Sequence, residues 1–462
     1  MQERYLVTAD LGSSKIAVSV ARITGKDVQL IYYKESPSDG IRYSCVFNPV
    51  RASESFRKAI EMAEKEIGIN ITQVVVGLPR HDIRQETASA TMQRSDPGSC
   101  ITQEEILALK SMALDSYPLE DDTKETIYGA VAQSFSADDL IQQSEHDVVG
   151  SPADSLEGNF KIFVGSKKSV NNIDIMLNRI GKASAKKIFL PHATAGAVLT
   201  DEEKDNGVAL IEMGAGVTSV AVYKGRILRY YGSVPFGGKS ITTDIKYECG
   251  FKEVLAENIK LAYGACLPEK LQNMGEKILQ INDDDTGTYE HLPVKYLSEI
   301  INCRTKEIID AILFLIQESG YAERLRNGIV ITGGGANLAN ITNLIKDMSG
   351  YNVRIGYPRA RKISFEGCPG ITETSAVSSI ALVLASMKDE HLNCSGEVVI
   401  QKEEEESTEG TVFETIEEGD VISPSEKKKK KRDTSKSAFN FRWKKITDAV
   451  GDTIGGLFDE MQ

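Results

Sequence analysis

The chain has 462 residues but only one tryptophan, five histidines and seven cysteines. The cysteines, at 45, 100, 249, 266, 303, 368 and 394, form no CxxC pair, and no histidines cluster near them. A structural metal site of the zinc-ribbon kind is therefore not expected, and an odd, scattered set argues against a disulfide framework. A reducing cytosol is the compartment that composition predicts. Excess positive charge is also missing: the formal net charge is −13, which argues against a general nucleic-acid binder. No apolar run is long enough to span a bilayer as a helix. The start, Met1-Gln2-Glu3-Arg4 before a short apolar run ending at Asp10, is too short and too acidic for a signal peptide.

Hydrophobic residues make up 41% of the chain, enough to bury a sizeable core in two or more domains. Tyr5 to Ala9 reads as a strand closed by Asp10. A turn follows, Leu11-Gly12-Ser13-Ser14-Lys15, and then strands at Ile16–Ala21 and Val28–Tyr33. The same meander recurs at Val208–Ile211, closed by Glu212, then Met213-Gly214-Ala215-Gly216, then Ser219–Tyr223 and Ile227–Tyr231. In both copies an acid ends the first strand and a glycine stands two residues later. The repetition predicts two related halves facing each other. Val74–Gly77 and Ile329–Gly333 add a further rhyming pair of buried strands. Helical periodicity over Ala52–Ile67, Val254–Tyr263, Val294–Gln317 and Ala376–Met387 makes the class α/β. Residues 84–164 fit neither half. They carry a helix start of capping-box type, Thr102-Gln103-Glu104-Glu105, and read as an inserted α+β subdomain. After residue 388 apolar residues thin out and acidic and basic runs appear, so a disordered linker is expected to residue 438.

Two acid-terminated glycine turns facing each other suit a phosphate clamp. Small residues let backbone N–H groups approach phosphate oxygens, and the acids can hold water or a magnesium ion. A single such turn is equally an ordinary hairpin, and the duplication is what favours the clamp. Gly328 to Leu338 adds a buried strand that runs through Gly333-Gly334-Gly335 into a helix, which leaves a surface free of side chains. No Gly-Lys-Ser/Thr follows it at the spacing of a Walker loop.

These stretches resemble the phosphate and adenosine motifs of the actin, Hsp70 and sugar-kinase superfamily. Within that superfamily the chain is similar to the FtsA family of bacterial division proteins. The likeness rests on Gly77-Leu78-Pro79, on Leu199 to Asn206, on Phe236 to Ile245, on the inserted subdomain and on the tail. It implies a duplicated actin-like (RNase H-like) fold with bound ATP and magnesium. Asp10 and Glu212 would orient water-mediated magnesium. Gly12, Ser13, Ser14 and Lys15 would contact the phosphates from one side, and Gly214, Ala215, Gly216 and Val217 from the other. Gly333, Gly334, Gly335 and Asn337 would line the adenosine site. Glu257 and Lys260 resemble ribose and base contacts, and by spacing alone equally read as an exposed ion pair. Val217 offers no hydroxyl to a phosphate, and no acid stands near His192, so ATP binding is expected and rapid hydrolysis is not. The implied division is 1–83 with 165–192 and 366–388, the insertion at 84–164, a second half at 193–235 with 306–365, and a subdomain at 236–305.

In the tail, Trp443, Ile446, Val450, Ile454, Leu457, Phe458 and Met461 fall within an arc of roughly 120° on a helical wheel. Lys444, Lys445, Asp448, Asp452 and Asp459 lie opposite. That is the pattern of an in-plane amphipathic helix on an anionic membrane surface, over 439–462. Docking onto protein is the alternative. The basic run Lys427–Arg432 either adds lipid attraction or merely solubilises the linker. The resemblance implies a filament of this chain on the cytoplasmic side of the inner membrane at the division site. Its partner would be the C-terminal peptide of the tubulin-like FtsZ, taken by 236–305, with later division proteins recruited through the insertion. A small-molecule kinase of the same superfamily is the alternative, and it leaves the insertion and tail unexplained.

Overall fold

The computed structural model describes residues 3–396, apart from 26, 97, 139, 283–288, 360–362 and 366. Of the linker expected at 389–438, residues 389–396 are described and pack on the first half, with Cys394 buried and its N–H donating to the Tyr5 carbonyl at 2.8 Å, which corrects the expected start. The rest of it and the helix expected at 439–462 lie outside the described residues.

Three antiparallel strands open the chain: β1 (Glu3–Leu11), β2 (Lys15–Thr24) and β3 (Asp27–Pro37). On β1, Val7, Ala9 and Leu11 enter one apolar cluster while Leu6 enters another. A strand buried on both faces reads as a continuous apolar run, which is what Tyr5–Ala9 shows. A small hairpin, β4 (Ile41–Arg42) and β5 (Cys45–Val46), leads to helix α1 (Pro49–Ile67). Asn48 caps α1 by accepting from the Val50 and Arg51 N–H groups. β6 (Gln73–Gly77) then pairs parallel with β1.

The insertion comprises β7 (Arg84–Gln93), α2 (Gln103–Ser116), β8 (Glu125–Ala137), β9 (Leu140–Gln143), the single turn α3 (Glu145–Val148) and β10 (Ser155–Ser166). Its four strands order as β7-β10-β8-β9. Leu109 of α2 packs there with Phe135, Leu156 and Phe160 in a core of its own. α4 (Lys167–Asn178) and β11 (Ala183–Ile188) complete the first half, whose sheet order is β11-β6-β1-β2-β3.

α5 (Leu190–Val198) and α6 (Asp201–Asn206) lead into the second meander, β12 (Val208–Met213), β13 (Thr218–Lys224) and β14 (Ile227–Val234). α7 (Gly238–Cys249), α8 (Glu253–Tyr263), the hairpin β15 (Ile278–Asn282) and β16 (Tyr289–Pro293), and α9 (Val294–Glu318) precede β17 (Ile329–Thr332), which pairs parallel with β12. α10 (Ile341–Ser349) and β18 (Val353–Ile355) finish a sheet ordered β18-β17-β12-β13-β14. α11 (Val377–Ser386) returns to pack on β1 and β2. The two sheets have the same order: the meander reversed, then two parallel strands. This is the duplicated actin-like α/β fold with an inserted α+β subdomain. Its parallel strands bring the ends of β1, β6, β12 and β17 to the edge where such sheets hold ligands.

Candidate functional site: the cleft between the two halves

Each meander ends its first strand on an acid. Asp10 faces Ala17 in the β1–β2 ladder, and Glu212 faces Ser219 in β12–β13. The turns that follow close in the same way. The Gly12 N–H donates to the Lys15 carbonyl at 3.0 Å, and the Gly214 N–H to the Val217 carbonyl at 2.9 Å. The turns also touch. A Cβ on Gly216 would stand 2.7 Å from Ser13 Oγ, so only glycine lets the second turn approach the first this closely. Ser13 Oγ in turn accepts from the Ser44 N–H at 3.1 Å, which ties the β4–β5 hairpin to the same place. Lys15 pairs instead with Glu35.

Arg80 joins the two acids. It lies just past β6, and the β1–β6 register sets Ala9 beside Val76, so the chain beyond β6 emerges next to Asp10. Arg80 Nη2 is 2.9 Å from Asp10 Oδ1 and Nη1 is 2.7 Å from Glu212 Oε1. The three side chains are 11%, 12% and 9% exposed respectively. Burial opposes the arginine's charge, but Glu212 and Asp10 outweigh it and hold the guanidinium protonated beyond its ordinary range. Tyr231 Oη donates to the Arg80 carbonyl at 2.5 Å, and Ser378 Oγ of α11 donates to Glu212 Oε1 at 2.9 Å. Lys239 Nζ donates to the Ser13 carbonyl at 2.7 Å, a second cation crossing between the halves.

The third motif lies beside the second turn. Gly333 has φ +88°, and a Cβ there would meet the Met213 carbonyl oxygen at 2.5 Å. Gly335 packs equally hard on the Met213 side chain, whereas a Cβ on Gly334 would meet only Ser375 Cβ at 4.0 Å. Gly334 is thus the position of the three that faces space. Asn337 Oδ1 accepts from Thr374 Oγ1 at 2.9 Å. Lys260 is buried, not exposed, and donates to Glu257 at 2.8 Å, to Thr242 Oγ1 at 2.8 Å and to the Gly238 carbonyl at 3.0 Å. The exposed-pair reading of Glu257 and Lys260 is therefore corrected: the pair anchors the start of α7 beside the second glycine turn. Val217 is buried with its carbonyl closing that turn. His192 is exposed in the first turn of α5.

A cavity of about 450 Å³ opens between the halves, lined by Ser13, Tyr43, Gly216, Phe236, Lys239 and Arg304 among others. Ser13 of the first glycine turn and Ala215 and Gly216 of the second line it, but Asp10, Arg80, Glu212, Gly333–Gly335 and Lys260 do not. The expectation of magnesium on Asp10 and Glu212 meets an obstacle here, because both carboxylates already face one buried cation. Among the described residues, no group of three or more His, Cys, Asp or Glu side chains is placed to hold a metal. The residues as arranged do not fit the ion. Sequence reasoning missed Arg80, Lys239 and Ser378. For Arg80 the signal was its place just after a strand parallel to β1.

A family profile described as "Cell division protein FtsA" matches residues 209–382. The cell division protein FtsA of Borreliella burgdorferi is 30% identical over 364 residues, which span 78% of this chain and 86% of that protein. The chain belongs to the FtsA family. FtsA of Enterococcus hirae is 27% identical over 441 residues, 93% of this chain and 96% of that one. Among solved structures, the PilM-PilN type IV pilus biogenesis complex aligns with a TM-score of 0.55 at 13% identity, covering 82% of this chain and 98% of that one, a likeness of fold. In this member of the FtsA family no helix among the described residues is long and apolar enough to cross a membrane.

Proposed function

We propose that the chain binds ATP between its two halves, assembles into filaments and tethers an FtsZ ring to the inner face of the cytoplasmic membrane. The observation that carries the nucleotide half is the contact of the two glycine turns, Ser13 against Gly216, with Gly334 facing open space at the end of β17. Family membership supports the division role. FtsZ's C-terminal peptide is assigned to the subdomain at 236–305, anionic lipid to the tail, and later division proteins to the insertion. The kinase alternative needs a free carboxylate base between the halves. Asp10 and Glu212 are held by Arg80, and Asp244 by Arg304 at 2.6 Å, so the cleft offers it little.

Gly334 supplies the test because a Cβ there meets no backbone atom within 4 Å. Gly334→Arg keeps the thermal midpoint and lowers ATP affinity at least about tenfold by calorimetry. Gly333→Ala, forced to a positive φ against Met213, loses about 1–3 kcal/mol of stability. Unchanged ATP affinity in Gly334→Arg would show that the third motif is misassigned.

A further inference from the structure

We propose that the Arg80 guanidinium, and not a divalent cation, is the counter-charge between the two phosphate turns, so that a nucleoside triphosphate binds this chain without magnesium on Asp10 and Glu212. The proposal rests on the nucleotide reading above and assigns the electrostatics of that site.

Two carboxylates from opposite halves, both largely buried, repel each other unless a cation lies between them. A magnesium ion would fill that place with a near-octahedral oxygen shell that includes several waters. Arg80 fills it already, with Nη2 hydrogen-bonded to Asp10 and Nη1 in an ion pair with Glu212. An arginine cannot be neutralised by deprotonation, and its planar fork reaches two acceptors at once, which suits it to a permanent bridge. The bridge is braced at its backbone by Tyr231 and at its far acid by Ser378. Lys239 Nζ, at the Ser13 carbonyl, adds a second cation beside the first turn.

A second observation points to a ligand. Arg80 Nε is buried and has no hydrogen-bond partner among the described residues. A buried charged donor without an acceptor is costly, and an anionic oxygen is the group that satisfies it. A magnesium ion placed beside the guanidinium would repel it and strip it from one acid. Arg80 and the ion are therefore competing occupants of one place.

The competition can be measured on the full chain. In wild type, ATP affinity by calorimetry should change by less than about threefold between excess EDTA and millimolar magnesium. Magnesium alone should shift the thermal midpoint of the ligand-free protein by less than about 1 °C. In Arg80→Gln, ATP affinity in EDTA should fall at least about tenfold and return when magnesium fills the vacated pair. Should Arg80→Gln fail to fold, Arg80→Gln combined with Glu212→Gln, which removes one charge of each sign, takes its place. That protein should show the loss in EDTA without the rescue. ATP binding by wild type only with magnesium would overturn the proposal and leave the nucleotide reading intact. A magnesium-induced rise in the midpoint of ligand-free wild type would overturn it equally. No ATP binding in either buffer would overturn both.

Discussion

Arg80 and His81 are neighbours under opposite electrostatic demands. Arg80 keeps its charge because two acids surround it. His81 has its ring 6.1 Å from that of Tyr43 and its Nδ1 3.2 Å from Ser233 Oγ, and burial pushes its pKa below the ordinary value, with Asp82 opposing in part. A histidine with a lowered folded-state pKa favours the fold in its neutral form. Its contribution is whole above the unfolded value of about 6.5 and is lost as pH falls through the lower folded value. Between about pH 7.5 and 5.5, wild type should therefore lose more thermal stability than His81→Gln. Parallel melting curves would show that another group carries the dependence. At this scale the sequence was legible in position, since Asp10 and Glu212 stand near the ends of the first strands of the two meanders, while the magnesium role read for them meets Arg80. Arg80 was hidden because its partners are 70 and 132 positions away: the parallel register of β1 with β6 brings it to Asp10, and the approach of the second half brings Glu212.

Elements were legible in proportion to how much of them is buried. Both meanders, α1 and α9 follow their apolar patterns because those patterns face cores. β11 shows the converse. Of Ala183 to Ile188 only Ile188 is buried, so an edge strand held by its backbone ladder left almost no hydrophobic signal. α2 was legible at its start, since Thr102 and Glu105 form the reciprocal cap that the spacing implied. Thr102 accepts from the Glu105 N–H and Glu105 accepts from the Thr102 N–H. Removing the hydroxyl frees one helix donor, so Thr102→Ala should cost about 1 kcal/mol. Because α2 packs into the insertion's own core, the loss should be local. Amide exchange in the first turn of α2 should quicken while ATP affinity stays at the wild-type value. A fall in affinity would mean that the insertion and the cleft are energetically coupled.

For the whole molecule, the proposed tether depends on a segment outside the described residues, so its argument is one of sequence chemistry. Trp443, Ile446, Val450, Ile454, Leu457, Phe458 and Met461 supply the apolar arc. Full burial of a large apolar side chain is worth roughly 1.5–3 kcal/mol, and an interfacial helix buries its residues only in part. Ordering the segment costs part of the gain, and Gly451, Gly455 and Gly456 each weaken the helix by about 1 kcal/mol relative to alanine. The segment has no net positive charge to compensate, because the four acids Asp448, Asp452, Asp459 and Glu460 outnumber the three bases Arg442, Lys444 and Lys445. A single tail is therefore a weak, reversible anchor. A filament presents many tails to one surface, and multivalency turns weak anchors into firm attachment. Under the proposed function, that arithmetic alone would couple polymerisation to membrane binding. Trp443→Glu places a charge in the apolar arc and should release the protein from anionic liposomes while ATP affinity is retained. Truncation after Ser437 should do the same, and its difference from wild type should be greatest at protein concentrations that permit assembly. If wild type, Trp443→Glu and the truncated chain pellet equally, the attachment lies elsewhere on the molecule and the tail is not the tether.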